Sequence, residues 1–233
     1  MTSLPFLLIP GLNCSARVYN QQIPALWPFG PVMIANHTGG GNDMASIAKA
    51  ILADAPPRFA LAGFSMGGYI AFEILRQAPE QVAKLALLDT SARPDAPAQT
   101  ERRRAQIALT RQGRFAEIPT QQFEMLVDAS HIGDKALFAM QARMAGEVGP
   151  EAFVRHQEAI ISRPDSRGDL GAINCPTLVI VGESDVITVP EAAREMAEGI
   201  KDSKLVTIAK AGHLALAEQP EAVTAALVEW ARA

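Results

Sequence analysis

Short apolar runs alternate with apolar residues at helical spacing along most of this chain. Residues 6–9, 32–35, 59–62, 85–88, 178–181 and 205–208 form runs broken only by the hydroxyl of Thr207. Runs of this length and composition suit strands buried on both faces. Residues 16–26, 44–54, 66–77, 190–199 and 220–231 instead place apolar side chains every three or four positions, which predicts helices. Strands that alternate with helices predict an α/β fold, a mainly parallel sheet of about six strands with helices on both faces. Right-handed crossovers restrict its topology. The alternation stops after Asp89. Residues 101–111 and 135–147 have helical composition, with Gly113, Pro119, Gly133 and Pro150 as breaks. The expected organisation is therefore a core of residues 1–92 and 166–233, with a helical block, 93–165, inserted after the fourth strand.

Candidate chemistry sits at the ends of three predicted strands. Gly63-Phe64-Ser65-Met66-Gly67 falls between the strand at 59–62 and the helix at 66–77. A serine at so sharp a turn is held in a strained conformation, with its hydroxyl lifted over the free N–H groups of the helix start. Gly63 and Gly67 leave room where a Cβ would clash. The pattern alone also arises in ordinary glycine-rich turns. Two later residues sharpen it. Asp185 follows the run at 178–181, and His213 follows the run at 205–208. In a parallel sheet all these loops gather at the carboxyl edge. The chain order serine, aspartate, histidine suits a nucleophile, an acid and a base.

These stretches resemble the α/β-hydrolase family. The resemblance is carried by Leu7-Leu8-Ile9-Pro10-Gly11, Gly63-Phe64-Ser65-Met66-Gly67-Gly68, Val181-Gly182-Glu183-Ser184-Asp185 and Ala211-Gly212-His213. Cys175-Pro176-Thr177-Leu178 and Glu218-Gln219-Pro220-Glu221 add to it. It covers both ends of the chain, and the segment 93–165 carries no such motif. The resemblance implies Ser65 as nucleophile, His213 as base and Asp185 as the acid that orients the imidazole. It implies an oxyanion hole built from the backbone amides of Met66 and Leu12. It also implies that the inserted helices form a cap over the nucleophile. Two strands that often precede the first strand in the family have no counterpart before Leu4, so an exposed sheet edge is expected. Most members carry His-Gly where this chain has Pro10-Gly11-Leu12-Asn13. Asn13 offers an amide to the substrate or caps the next turn, and the cap is the favoured reading. Asp89 is the rival acid. His37, His131 and His156 are expected in structural roles.

Composition narrows the function further. The 233 residues are 48% hydrophobic with a net charge of −4, which fits a globular enzyme and disfavours a nucleic-acid surface. Two cysteines, Cys14 and Cys175, are too few for a disulfide framework. With no long apolar leader or membrane-length run, a cytoplasmic protein is expected. The histidines show no paired ligand spacing, so no metal is expected, and no organic cofactor. Arg93, Arg102, Arg103, Arg104, Arg111 and Arg114 crowd one stretch. A solvated helix face is the plainer reading, and an attractor for an anionic substrate or an acidic carrier protein is the sharper one. The reading favoured overall is a serine hydrolase acting on a small carboxylic ester or lactone. A carbon–carbon hydrolase or lyase using the same three residues is the first alternative. A non-catalytic receptor on the same scaffold is the second.

Overall fold

The computed structural model describes residues 4–232. Six strands form one sheet: β1 (Phe6–Ile9), β2 (Val32–Ile34), β3 (Phe59–Phe64), β4 (Val82–Leu88), β5 (Thr177–Gly182) and β6 (Ser203–Ile208). Their order is β2-β1-β3-β4-β5-β6, and every neighbouring pair is parallel. The short strand β2 forms one edge. Alternate residues face opposite sides. Leu7, Leu61, Leu87 and Val179 pack under α2 (Met44–Asp54), α3 (Met66–Gln77) and α8 (Pro190–Gly199). Leu8, Ala62, Leu88 and Ile180 pack under α1 (Ile23–Leu26), α9 (Ala215–Glu218) and α10 (Pro220–Arg232). Each fully buried leucine contributes roughly 1.5–3 kcal/mol by leaving water.

Two departures from the sequence expectation have clear causes. The helix expected at 16–26 is broken into a short 3-10 turn at Ala16–Tyr19 and the single turn α1. Pro24 removes a donor and its ring crowds the carbonyl four residues back, so a continuous helix is not available. Strand β4 starts at Val82, three residues earlier than the apolar run. Lys84 hides this start in the sequence. Its ammonium reaches the carbonyls of Trp230 and Ala231 at 3.2 and 3.0 Å, at the negative end of α10.

Four helices lie between β4 and β5: α4 (Pro97–Arg111), α5 (Ile118–Leu126), α6 (Lys135–Val148) and α7 (Pro150–Ile161). Pro119 and Pro150, expected as breaks, instead occupy first turns, where a missing N–H costs nothing. Among the described residues no helix is long and apolar enough to cross a membrane.

The insertion is tied to the sheet domain by buried polar contacts. The Arg163 guanidinium lies 4.2 Å from the Tyr69 ring centroid and donates to the Arg93 carbonyl at 3.0 Å. Asp95 accepts from both Arg163 and Arg103. On the other side His156 Nε2 donates to the His37 carbonyl at 2.9 Å, and the two rings stack with centroids 5.0 Å apart. Both imidazoles are buried and held neutral. Burial pushes His37 down to about 3, helped by the neighbouring His156, and burial also lowers His156.

The sign of the resulting pH dependence follows from linkage. Above the ordinary value of 6.5 both folded and unfolded chains are neutral here, and the contribution is intact. Below it the unfolded chain binds protons that the folded chain refuses, so stability falls with pH. The melting temperature is expected to drop between pH 7.5 and 5 by roughly several degrees. A His37→Gln, His156→Gln double variant should show a shallower drop when both are followed by circular dichroism.

Candidate active site

Ser65 occupies the turn between β3 and α3 at φ 52°, ψ −114°, a conformation that costs roughly 1–3 kcal/mol for a residue with a side chain. Its neighbours enforce that geometry. A Cβ on Gly67 would run into the Ile9 carbonyl, and one on Gly63 would meet the Gly68 nitrogen at 2.7 Å. The turn is anchored by Ser65 N–H to the Leu88 carbonyl at 2.9 Å, and by Thr90 Oγ to the Ser65 carbonyl at 2.7 Å. The strained residue is thus stitched to the end of β4.

The hydroxyl meets His213. Ser65 Oγ lies 2.8 Å from His213 Nε2, and His213 Nδ1 lies 2.8 Å from Asp185 Oδ2. All three residues are buried, with exposures of 9%, 4% and 2%, so water screens these contacts little. A carboxylate can only accept, so the Nδ1 proton stays on the ring. Nε2 is then free to accept from the serine hydroxyl. Asp185 is itself held by Ile187 N–H at 2.8 Å, Thr188 N–H at 3.0 Å and Thr188 Oγ at 2.7 Å. Burial pushes its carboxyl up. His213 and the Thr188 hydrogen bonds outweigh that, and the net direction is down, toward the carboxylate.

Asp89 makes no hydrogen bond to His213. Its Oδ1 accepts from Gly182 N–H at 2.8 Å, and its Oδ2 is buried without a partner. Burial, and then the charge of Asp185, raise its carboxyl well above the usual range.

Sequence reasoning missed two supporting residues. Thr188 buttresses Asp185, and the only signal was a hydroxyl three positions after an acid. Glu218 accepts from Gly212 N–H at 2.8 Å and Asp128 N–H at 2.6 Å, and His131 Nδ1 lies 3.1 Å away. Ser184 Oγ donates to Asp128 Oδ2 at 2.6 Å, and Leu214 N–H to the Leu126 carbonyl at 3.0 Å. The loops that bear Asp185 and His213 are therefore fastened to the start of the insertion's second half. His37 and His131 stand apart from the serine in these structural contacts.

Leu12 and Asn13 reach the same place from β1. Tyr19 Oη pins the Ile9 carbonyl at 3.0 Å. A Cβ on Gly11 would lie 3.1 Å from the Ser65 Cβ, so this loop passes directly beside the serine. Among the described residues the N–H groups of Leu12 and Met66 donate to no backbone carbonyl. Asn13 does not cap the following turn, contrary to the favoured expectation. Ser15 Oγ accepts from Arg17 N–H there, because it stands one residue before the turn begins. Cys14 is inert: burial pushes its thiol up to about 12, and it donates weakly to the Leu12 carbonyl.

A cavity of about 460 Å³ opens above these groups. Ser65, His213, Leu12 and Asn13 line its floor, and Met125 and Gln141 are among the insertion residues that line its roof. Arg93, Arg103, Arg111 and Arg114 are paired with Glu195, Asp95, Glu158 and Glu117, and Arg102 and Arg103 line the cavity, so the arginine stretch is only partly the solvated face of the plainer reading.

Comparison with known proteins agrees with this architecture. The family model described as alpha/beta hydrolase fold matches residues 43–220. An esterase from Thermogutta terrifontis, solved with malate bound, superposes with a TM-score of 0.91 at 33% identity, covering 99% of this chain and 90% of that one. A pimeloyl-[acyl-carrier protein] methyl ester esterase from Nitrosospira multiformis is 32% identical over 76% of this chain and 70% of its own length. The biotin biosynthesis bifunctional protein BioHC of Cellvibrio japonicus matches at 26% identity, and this chain spans 48% of its length.

The two aspartates should separate in proton NMR. The His213 Nδ1 proton, in a short bond to a carboxylate, is expected far downfield. Asp185→Asn should remove that resonance, and Asp89→Asn, at a residue that bonds Gly182 and not His213, should keep it.

Proposed function

The chain belongs to the alpha/beta hydrolase fold family, and we propose that it is a serine hydrolase that cleaves small carboxylic esters or lactones through an acyl-enzyme. The observation that carries the reading is the position of His213, 2.8 Å from the Ser65 hydroxyl on one side and 2.8 Å from Asp185 on the other.

In this mechanism Ser65 Oγ attacks the substrate carbonyl while its proton passes to His213 Nε2. Asp185 keeps the ring oriented and stabilises the imidazolium. The tetrahedral oxyanion is received by the backbone N–H groups of Met66 and Leu12. Met66 begins α3, so the positive end of that helix adds to the field. Collapse breaks the bond to the alcohol, which leaves with the proton from His213. Water then attacks the acyl carbon as its proton passes to the same nitrogen, and cleavage of the bond to Ser65 Oγ returns that proton to the serine and releases the acid. The inserted helices act as a cap that shields the charge-separated steps from bulk water. Asp89, which makes no hydrogen bond to His213, takes no part in proton transfer. Several relatives are named as esterases, which supports the ester reading. The internal pairing of most of the arginines in this segment favours a small-molecule substrate over a carrier protein. A complete serine, histidine and aspartate set disfavours a receptor role.

A fluorophosphonate probe is expected to label Ser65 and to leave Ser65→Ala unlabelled. With para-nitrophenyl butyrate, Ser65→Ala should lose turnover to background, and Asp185→Asn should lose about 10⁴-fold in kcat. Steady labelling of the Ser65→Ala variant, or full turnover by it, would overturn the assignment.

A further inference from the structure

Two residues that line the cavity carry buried carboxamide atoms with no hydrogen-bond partner in the protein. Asn13 is 3% exposed, and its Nδ2 and Oδ1 are both buried without a partner. Gln141, on α6, is also 3% exposed, and its Oε1 is buried without a partner. Both line the cavity that holds Ser65 and His213. The other buried unpartnered polar groups, on Gln22, His37, Asp89, His156 and Trp230, do not line it. Interiors rarely leave polar atoms unpaired, so such a pair marks where a ligand supplies the missing bonds.

The two residues come from different parts of the chain, the loop after β1 and α6, and those parts are fastened together. Ser15 Oγ and Arg17 Nε both donate to the Glu147 carboxylate at 2.7 Å, which ties the loop just after Asn13 to the last turns of α6. Asn13 sits at φ 57°, a conformation asparagine tolerates better than most residues. Glycine would serve that backbone equally well, yet it would bring no amide. Carboxamides carry donors and acceptors and no charge. They match a neutral hydroxyl, which uses both, better than a carboxylate, which only accepts. Because Asn13 directly follows Leu12 beside the serine, the hydroxyl belongs on an acyl carbon close to the reacting carbonyl.

We propose that Asn13 and Gln141 form a polar subsite for a hydroxyl on the acyl group, so that hydroxyacyl esters or lactones are preferred over plain alkanoates. The inference rests on the reading of Ser65 as nucleophile for the placement of the acyl group.

The test compares para-nitrophenyl β-hydroxybutyrate with para-nitrophenyl butyrate. The wild-type ratio of kcat/KM is expected to favour the hydroxylated ester by about tenfold or more, since sites built around a hydroxyl reject analogues that lack it. Gln141→Leu and Asn13→Gly should each bring the ratio near unity. A wild-type ratio at or below unity, or an unchanged ratio in both variants, overturns the subsite. Should Asn13→Gly fail to fold, Gln141→Leu decides by itself. Calorimetric binding of methyl β-hydroxybutyrate and methyl butyrate to Ser65→Ala separates the two ideas. If the wild type hydrolyses neither ester and Ser65 takes no label, the hydrolase reading fails. The subsite then stands only if binding still favours the hydroxylated ester and Gln141→Leu abolishes that preference, and equal binding overturns it.

Discussion

The contact between Ser65 Oγ and His213 Nε2 joins residues 148 positions apart, and it exists only because parallel strands end at a common edge. Every turn that contributes a group to the site leaves the carboxyl end of a strand: β1 for Leu12 and Asn13, β3 for Ser65, β5 for Asp185 and β6 for the loop to His213. The sheet order sets β3 beside β1 and β4, so the strained serine is clamped from both sides. Ile9 crowds Gly67 on one flank, and Leu88 and Thr90 bond Ser65 on the other. Strain of this kind persists only where the surrounding structure over-determines it. The buried strands are what make a φ of 52° at Ser65 affordable.

Electrostatics at the edge are divided between two aspartates that lie close together. A charged neighbour raises a buried carboxyl. Asp185 has His213 and three donors, and its net shift is down. Burial and the charge of Asp185 raise the carboxyl of Asp89, whose Oδ1 has one backbone donor, Gly182. The difference comes from hydrogen-bond supply and not from residue type. Asp185 stands in a turn whose next residues turn their N–H groups back toward it, whereas Asp89 at φ 42° faces only Gly182.

The helical insertion is held by contacts at four places. Arg163 lies over Tyr69, His156 and Arg155 fasten it to the loop after β2, Asp128 fastens it to Ser184 and Glu218, and Glu147 fastens it to Ser15 and Arg17. The loops that bear Asp185 and His213 are thus tied to the insertion that lines the cavity.

The strands and most core helices were legible in the chain itself. Four-residue apolar runs and a 3.6-residue period are local signals, and α2, α3 and α8 begin and end where the pattern places them. The meeting of Ser65, Asp185 and His213 was also legible, because each follows a strand end at one sheet edge. What only the tertiary structure decided lies in contacts that carry no local pattern. Nothing near Asn13 shows that Ser15 caps the next turn, and nothing near Gln141 shows that it lines the same cavity as the serine. Glu218 belongs to a stretch that carries the resemblance, but only the fold brings Gly212 and Asp128 to it. Side-chain hydrogen bonds between distant elements depend on how helices settle on one another, and spacing along a single element does not encode that.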